Sequence, residues 1–475
     1  MAFQSPKIDD EKFAQIFQKA QAKLDELHAS LKFPGGCVGF VLPDGRSGSV
    51  STGVADLKTQ TKLKPSDPML AGSIGKTFVS AATLQLAQEG KLNLDEKIER
   101  WLGNESWFAR LPNAKDITLR TLLNHSSGIP NHVDDGSFQK AMFKSFGKDI
   151  KYEELIAYVL DKKPLFEAGK NFNYADTNYI LVGIIVERAT GKTLYYEIAQ
   201  RILKPLRLDD TFPSNKNVLP RVVNGYFQNK PIIAGGKFTV NPQWEWAGGG
   251  FASTTEDLAR WAKFLYAGDV LQKKYLDEML GSTTVGEGKG YGLGVEIVQG
   301  KFGKSHGHDG EFPGYLSDMR YFPQYKIAVA AQVNADETPE ASKFIASAVD
   351  DFAQIIIGEL VAEKLSEAEK LNLQKTAEDW LKLVDAGKFA ESWEGISAEL
   401  KAKYAKEKWQ STVQPFLKKV GNFKSRKFKN VIAFEAETVT IDFESSFAKL
   451  SSAIETLILK REKDGKWRVA SHSIK

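Results

Sequence analysis

Strand-forming patterns lie near both ends of the first three-quarters of the chain and are almost absent between. "CVGFVL" (37–42), "PDGR" and "SGSVSTGVA" read as strand, turn and strand. The pattern returns at "YGLGVEIV" (291–298), "YLSDMRYF" (315–322) and "KIAVAAQV" (326–333). From about residue 74 to 250 the chain is mostly helix and loop. Strands at both ends with helices between imply one α/β (α+β) domain. Its terminal segments share a sheet, and a helical insertion packs beside it.

Local signals fill in this frame. Residues 8–32 have helical spacing, with Phe13, Ile16, Phe17, Ala20, Leu24 and Leu27 on one face, and Pro34-Gly35-Gly36 ends the helix. "STTEDLARWAKFL" (253–265) opens with a capping box, Ser253 with Glu256. Thr338-Pro339 starts a long helix reaching about residue 364.

A chain of 475 residues exceeds one ordinary core, so two or three domains are expected. Composition shifts at "VAEKLSEAEKLN" (361–372), a charged, helical linker. Beyond it, Leu373, Ala377, Trp380, Leu381 and Val384 form one apolar helical face. "AETVTIDF" (436–443) alternates, and residues 453–474 read as a hairpin turning at Asp464-Gly465. The expected domains are therefore 1–364 and 365–475, the second a small α+β unit.

A net charge of +4 is mild for this length and does not call for nucleic acid or an anionic membrane. The single cysteine, Cys37, excludes an internal disulfide and a multi-cysteine zinc site. No apolar run reaches the roughly 18–20 residues of a membrane span. The opening "MAFQSPKIDDEKF" has no basic stretch followed by an apolar one. Export to the periplasm or outside, with a signal peptide already removed, is the expectation; one cysteine fits the cytosol as well.

"AGSIGKTF" (71–78) carries the first chemical signal, and it reads two ways. Its tail, Gly75-Lys76-Thr77, resembles the end of a phosphate-binding loop. That loop needs a glycine at position 70, where this chain has Leu70. Its head places Ser73 and Lys76 three apart, on one face of a helix. An amine beside a serine hydroxyl makes a nucleophile, and a helix N-terminus supplies amides for a developing oxyanion. The segment 74–90 is apolar on several faces, so the helix is expected to be buried and the Lys76 amine desolvated. Taken alone, the motif is a common accident, and a serine before a helix is usually a cap.

The wider context resembles the serine β-lactamase and penicillin-binding-protein family, which holds class C β-lactamases, D-alanyl-D-alanine carboxypeptidases and esterases. "DPMLAGSIGKTFVSAATLQLAQEGKLNLDEKI" (67–98) is similar to its nucleophile block. "ITLRTLLNHSSGIP" (117–130), "FNYADTNYILVGIIVERATG" (172–191), "AGGGFASTTEDLARW" (247–261) and "GHDGEFPGY" (307–315) follow in family order. The resemblance covers about residues 10–360. It implies an antiparallel sheet flanked by helices plus an all-helical subdomain. It implies a serine hydrolase without a cofactor, acting on a small molecule or peptide.

Carried over residue by residue, the resemblance makes Ser73 the nucleophile and gives Lys76 and Tyr174 its proton and later the activation of water. His308, in the third motif on an edge strand, is the fourth catalytic residue that the resemblance implies. The amides of Ser73 and Glu311 form the oxyanion hole, and Asp176, Asp309 and Gly310 bind substrate. Asp176 beside Lys76 would keep the lysine protonated and shift the base role toward Tyr174. Where β-lactamases have Lys-Thr-Gly this chain has His308-Asp309-Gly310, followed by Glu311. Two acids at that wall would repel a substrate carboxylate unless Lys304 or His308 neutralises them. The expected substrates are esters, or peptides and amides of D-residues with a neutral or cationic end. A β-lactamase or DD-carboxypeptidase is the first alternative, and a non-catalytic sensor of the same fold the second. No metal is expected: His306 and His308 lack further ligands, and the other histidines are scattered.

The second domain, with "AEDWLKLVDAGKFAESWEGIS" (377–397) and "DGKWRVASHSIK", resembles nuclear-transport-factor-type cone domains. Such domains hold a ligand in the cone or mediate dimers, so a homodimer through it is one expectation. "KKVGNFKSRKFKN" (418–430) has six basic residues and no acid. It is read as a solvated strand and turn, with no nucleic-acid partner expected.

Overall fold

The computed structural model describes residues 8–144, 148–361, 365–435 and 437–474. Contacts divide the chain into two units. Residues 14–353 form one; residues 354–475, with the start of the first helix, form the other.

The first unit is built on a nine-stranded sheet. Its strands are β1 (Gly35–Val41), β2 (Ser47–Asp56), β3 (Thr61–Lys62), β4 (Thr283–Gly286), β5 (Lys289–Tyr291), β6 (Glu296–Gly300), β7 (Gly303–Phe312), β8 (Tyr315–Phe322) and β9 (Ile327–Val333). The order is β4-β5-β6-β7-β8-β9-β1-β2-β3, with antiparallel neighbours. The two ends of the unit meet where β1 pairs with β9, Val38 opposite Ala331. Both strands are buried along their whole length.

Helices cover both faces of that junction. Helix α1 (Asp10–Leu31) leads into Phe33, whose ring lies 4.5 Å from Phe344. A Cβ at Gly39 on β1 would fall 2.3 Å from the Thr255 backbone, where another helix begins, so only glycine allows this approach. The helical part is centred on α2 (Gly75–Gln88) and α3 (Asp176–Thr190), both buried on nearly every side. Helix α4 (Thr255–Ala267) joins them to the sheet through Trp261, stacked on Phe78 at 4.5 Å. Among the described residues no helix is long and apolar enough to cross a membrane.

Four sequence expectations need correction. The cap of α4 is Thr254, not Ser253, and Glu256 accepts instead from the Ser47 and Ser49 hydroxyls. The run 291–298 is two strands, because residues 292–295 turn with Gly294 at φ +75°. On α1, Phe17 is 37% exposed, and the buried stripe is Ile16, Ala20 and Leu24. Strand β7 is not an edge strand throughout: residues 303–307 pair with β6, and only 308–312 are free on that side.

Cys37 sits in β1, 1% exposed, with its Sγ 3.7 Å from the Lys64 carbonyl. Burial pushes its thiol far above the ordinary value, and Asp67 adds to this.

The second unit takes in the end of α5 (Pro339–Val361), from Gln354 on, then α6 (Glu367–Asp385) and α7 (Lys406–Val420), which precede a four-stranded antiparallel sheet. Its strands are β10 (Phe423–Glu435), β11 (Thr438–Phe447), β12 (Leu450–Arg461) and β13 (Trp467–Ile474). All five apolar residues expected on α6 are buried. The turn at Asp464-Gly465 joins β12 to β13. Residues 362–364, at the expected domain boundary, lie outside the described residues. Helix α5 passes Gln354 into this unit, where Gln354 Nε2 donates to Asp442 Oδ2 at 2.5 Å. Arg426, in the basic stretch, is not solvated. Its Nε donates to Glu455 at 2.6 Å and its Nη1 to Asp385 at 2.8 Å.

Candidate active site

Ser73 lies in a single turn of 3₁₀ helix, Gly72–Ile74, which runs directly into α2. Two glycines let β7 press against this turn. Gly72 has φ +56°, and a Cβ there would lie 2.4 Å from the Glu311 nitrogen. A Cβ on Gly310 would lie 2.0 Å from the Ala71 carbonyl and 3.2 Å from the Ser73 nitrogen. The backbones of Ser73 and of Gly310-Glu311 are thus side by side, as two amides of an oxyanion hole must be.

One helical turn on, Lys76 is fully buried. Its Nζ donates to Ser73 Oγ at 2.9 Å, to Asp176 Oδ1 at 2.5 Å and to the Gly248 carbonyl at 2.5 Å. An ammonium has three N–H donors, and each meets one acceptor. Asp176 is the first residue of α3, but its side chain caps nothing there and pairs with Lys76 instead. The phosphate-loop residues are otherwise engaged. Gly75 packs against Gly249, and the Thr77 hydroxyl donates to Ile74 and accepts from Trp261.

Tyr174 lies with its ring centroid 4.9 Å from Lys76 Nζ. Its hydroxyl is buried and makes no hydrogen bond to a described residue. Burial, and then the Asp176 charge, raises it well above the ordinary phenol value, while Ser73 pulls the other way. The ring is packed by His125 at 4.3 Å, Tyr291 at 6.0 Å and His308 at 6.1 Å.

His308 is fully buried rather than a surface strand residue. It shares a face of β7 with Gly310, whereas Asp309 and Glu311 point to the other face by the period of two. Both acids are exposed. They stand at the rim of the site, not on the wall beside Ser73. Asp309 is opposite Asp318 on β8, and both join Glu296 and Arg320 in a charged cluster. Arg320 donates to Glu296 at 2.6 Å and to Asp318 at 2.7 Å. Against the push of burial, the neighbouring Arg320 guanidinium keeps Glu296 below the ordinary carboxylate range. Burial raises Asp318 to about 7 despite Arg320.

Glu296, His308 and Asp309 each bring a ligand atom within 4.8 Å of one another. His306, which the sequence sets beside His308, packs against Tyr266 at 5.8 Å instead. The Glu296 carboxylate already serves Arg320, and both His308 nitrogens have protein partners, so this donor set is committed within the protein.

Sequence reasoning missed two further groups. Glu245 stands behind the glycine run, its Oε1 2.7 Å from where a Gly249 Cβ would be and its Oε2 enclosed without a hydrogen bond to a described residue. Burial raises it to about 8, with Lys76 pulling down and Asp176 pushing up. The other group is the pair His125 and Tyr291, both buried beside Tyr174. His125 stands among polar residues in "NHSSG" and Tyr291 among glycines in "GKGYGLG", and nothing in either stretch marks the two as partners.

A family model described as Beta-lactamase matches residues 15–354, and one described as Protein of unknown function (DUF4019) matches 376–472. Penicillin-binding protein 4* of Bacillus subtilis (strain 168) is 23% identical over 320 residues, 63% of this chain and 68% of that protein. Against further curated relatives the chain spans 57% of their length. A D-stereospecific amidohydrolase from Streptomyces sp. has a similar structure, with a TM-score of 0.61 at 26% identity, over 70% of this chain and 98% of that one. The octameric penicillin-binding protein homologue from Pyrococcus abyssi covers 97% of this chain and 100% of its own, with a TM-score of 0.57 at 22% identity.

Proposed function

The chain belongs to the beta-lactamase family, and we propose that it is a serine hydrolase that forms an acyl-enzyme on Ser73. The observation that carries this reading is the buried Lys76 ammonium, 2.9 Å from Ser73 Oγ, with all three of its donors satisfied. Because Lys76 donates to Ser73 Oγ, the serine's own proton is free to leave toward Tyr174. Tyr174 stays a neutral phenol. It takes the serine proton on its oxygen while giving its own proton to the leaving group. Lys76 offsets the charge that develops between them.

The steps balance as an acyl transfer. Ser73 Oγ bonds to the carbonyl carbon, and the carbonyl oxygen becomes an anion held by the Ser73 and Glu311 amides. The bond to the leaving amine or alcohol then breaks, and that group departs with the Tyr174 proton. Water repeats the sequence in reverse roles to release the acid.

The substrate class follows from the rim. Asp309, Glu311 and the nearby Glu337 make it acidic, and Glu311, though its side chain reaches solvent, is raised by the protein atoms packed round its carboxyl and then by Glu337 and Asp309. An acidic rim suits a neutral or cationic substrate end better than a carboxylate. The similarity to a D-stereospecific amidohydrolase supports amides or esters of D-residues. Self-association through the second unit belongs to the same proposal, and light scattering of the intact chain tests it.

Two measurements test the function. Intact mass after fluorophosphonate treatment should show one adduct in the wild type and none in Ser73→Ala. A panel of D-phenylalanine amide, p-nitrophenyl acetate and nitrocefin should favour the first two. Nitrocefin turned over faster than either would move the assignment to a β-lactamase.

A further inference from the structure

We propose that Tyr291 is a positioning residue of this site. Its hydroxyl, held between two buried imidazoles, fixes the proton on each and clamps the Tyr174 ring and the Asp309-Gly310 backbone beside Ser73. The catalytic consequence rests on the acyl-enzyme reading above; the proton order does not.

The order follows from groups that can act in only one sense. The Ala175 backbone N–H donates to His125 Nδ1 at 3.2 Å, and the Asn178 side-chain amide reaches the same nitrogen at 3.2 Å. The Asn178 orientation is set from its other end, where its Oδ1 accepts from the Ser127 hydroxyl at 2.6 Å. His125 Nδ1 is therefore an acceptor. In a neutral ring the proton then sits on Nε2, which lies 3.2 Å from Tyr291 Oη. Tyr291 accepts there and so donates onward, to His308 Nε2 at 2.9 Å. With Nε2 accepting, His308 carries its proton on Nδ1 and donates to the Asp309 carbonyl at 2.6 Å.

Each ring is neutral for a physical reason. Burial, with the Lys76 charge adding to it, holds His125 well below the ordinary imidazole value. Burial also lowers His308, against the upward pull of Glu296 and Asp309 and with Lys76 assisting. Burial raises Tyr291 well above an ordinary phenol, so it keeps its proton.

The relay is also built at a cost. His125 holds φ +59°, a left-handed conformation that is strained for a side-chain-bearing residue. That conformation aims the ring at both Tyr174 and Tyr291. The hydrogen-bonded chain surrounds the Tyr174 ring, whose centroid lies 4.9 Å from Lys76 Nζ, and it ends on the strand that faces the Ser73 amide. His308 is left with no free ring nitrogen. It holds the strand and takes no proton in the reaction.

Long-range ¹H–¹⁵N spectra of ¹⁵N-histidine-labelled full chain, with His125→Gln and His308→Gln for assignment, read the proton positions directly. The expected result is an Nε2–H tautomer at His125 and an Nδ1–H tautomer at His308. Any other tautomer at either, or an imidazolium at neutral pH, overturns the relay. Tyr291→Phe should disorder both signatures and lower kcat on p-nitrophenyl acetate about 10- to 100-fold, with KM within about twofold. A variant with unchanged kcat and tautomers overturns the positioning role. Should Tyr291→Phe not fold, the wild-type tautomers still decide the proton order. Absence of fluorophosphonate labelling at Ser73 would instead sink the hydrolase reading, while the tautomers alone would still support or overturn the relay.

Discussion

At the scale of single residues, the site is a set of buried polar groups mostly matched donor to acceptor, with the Tyr174 hydroxyl and Glu245 as exceptions. The folded-state value of Glu245, about 8, lies above the 4.5 of an ordinary glutamic acid. Between those values the folded chain holds a proton that the unfolded chain has lost. Stability from this group is therefore full below about pH 4.5 and falls as pH rises toward 8, by up to about 1.4 kcal/mol per pH unit. Glu245→Gln should lose that dependence. Melting temperatures from pH 5 to pH 8.5 should show the variant gaining on the wild type as pH rises. A constant offset would assign the slope to other groups. The Ser73–Lys76 spacing is legible in the sequence because it is one helical turn. Lys76's other partners are not, since Asp176 and Gly248 lie 100 and 172 residues away in the chain. The Tyr291 relay is invisible for the same reason.

Between elements, the decisive contact is a strand pressed against a turn with no room for a methyl group. Gly310→Ala would place a Cβ 2.0 Å from the Ala71 carbonyl. Overpacking of this kind costs about 1–3 kcal/mol, and relief means moving β7 off Ser73. Activity should drop about 100-fold or more with a lower melting temperature. Gly300→Ala, whose nearest contact is 4.0 Å, is the control and should leave both unchanged. Equal behaviour of the two variants would remove the contact from the mechanism. Strands β1 and β9 were legible as elements because their apolar runs are nearly continuous, whereas β7 has no such run, and the strand ends were not legible. The four-residue turn inside 291–298 follows from Gly294, and the cap of α4 falls one residue from the place its box suggests. The facing of Asp309 and Glu311 is readable from a period of two once Gly310 is placed against Ser73.

For the whole molecule, the sequence shift near 364 and the grouping from Gln354 onward make different forecasts for an isolated second unit. A fragment from 365 lacks the Gln354–Asp442 hydrogen bond and the approach of Gly358 to Ile432. The fragment 354–475 should melt higher than 365–475 by about 5 °C or more. Identical melting would favour the boundary that composition suggests. A two-unit organisation was legible because the linker changes composition, and the helix from Pro339 was expected to reach about residue 364, but nothing along it marks residue 353 as the place where its packing changes. The buried thiol in β1 has a practical consequence for following such units. Cys37 is the only cysteine of the chain and is shielded in the folded state. The native protein is therefore silent toward maleimides at neutral pH, and a cysteine introduced at an exposed site such as Leu371 becomes its sole addressable position for dyes and spin labels.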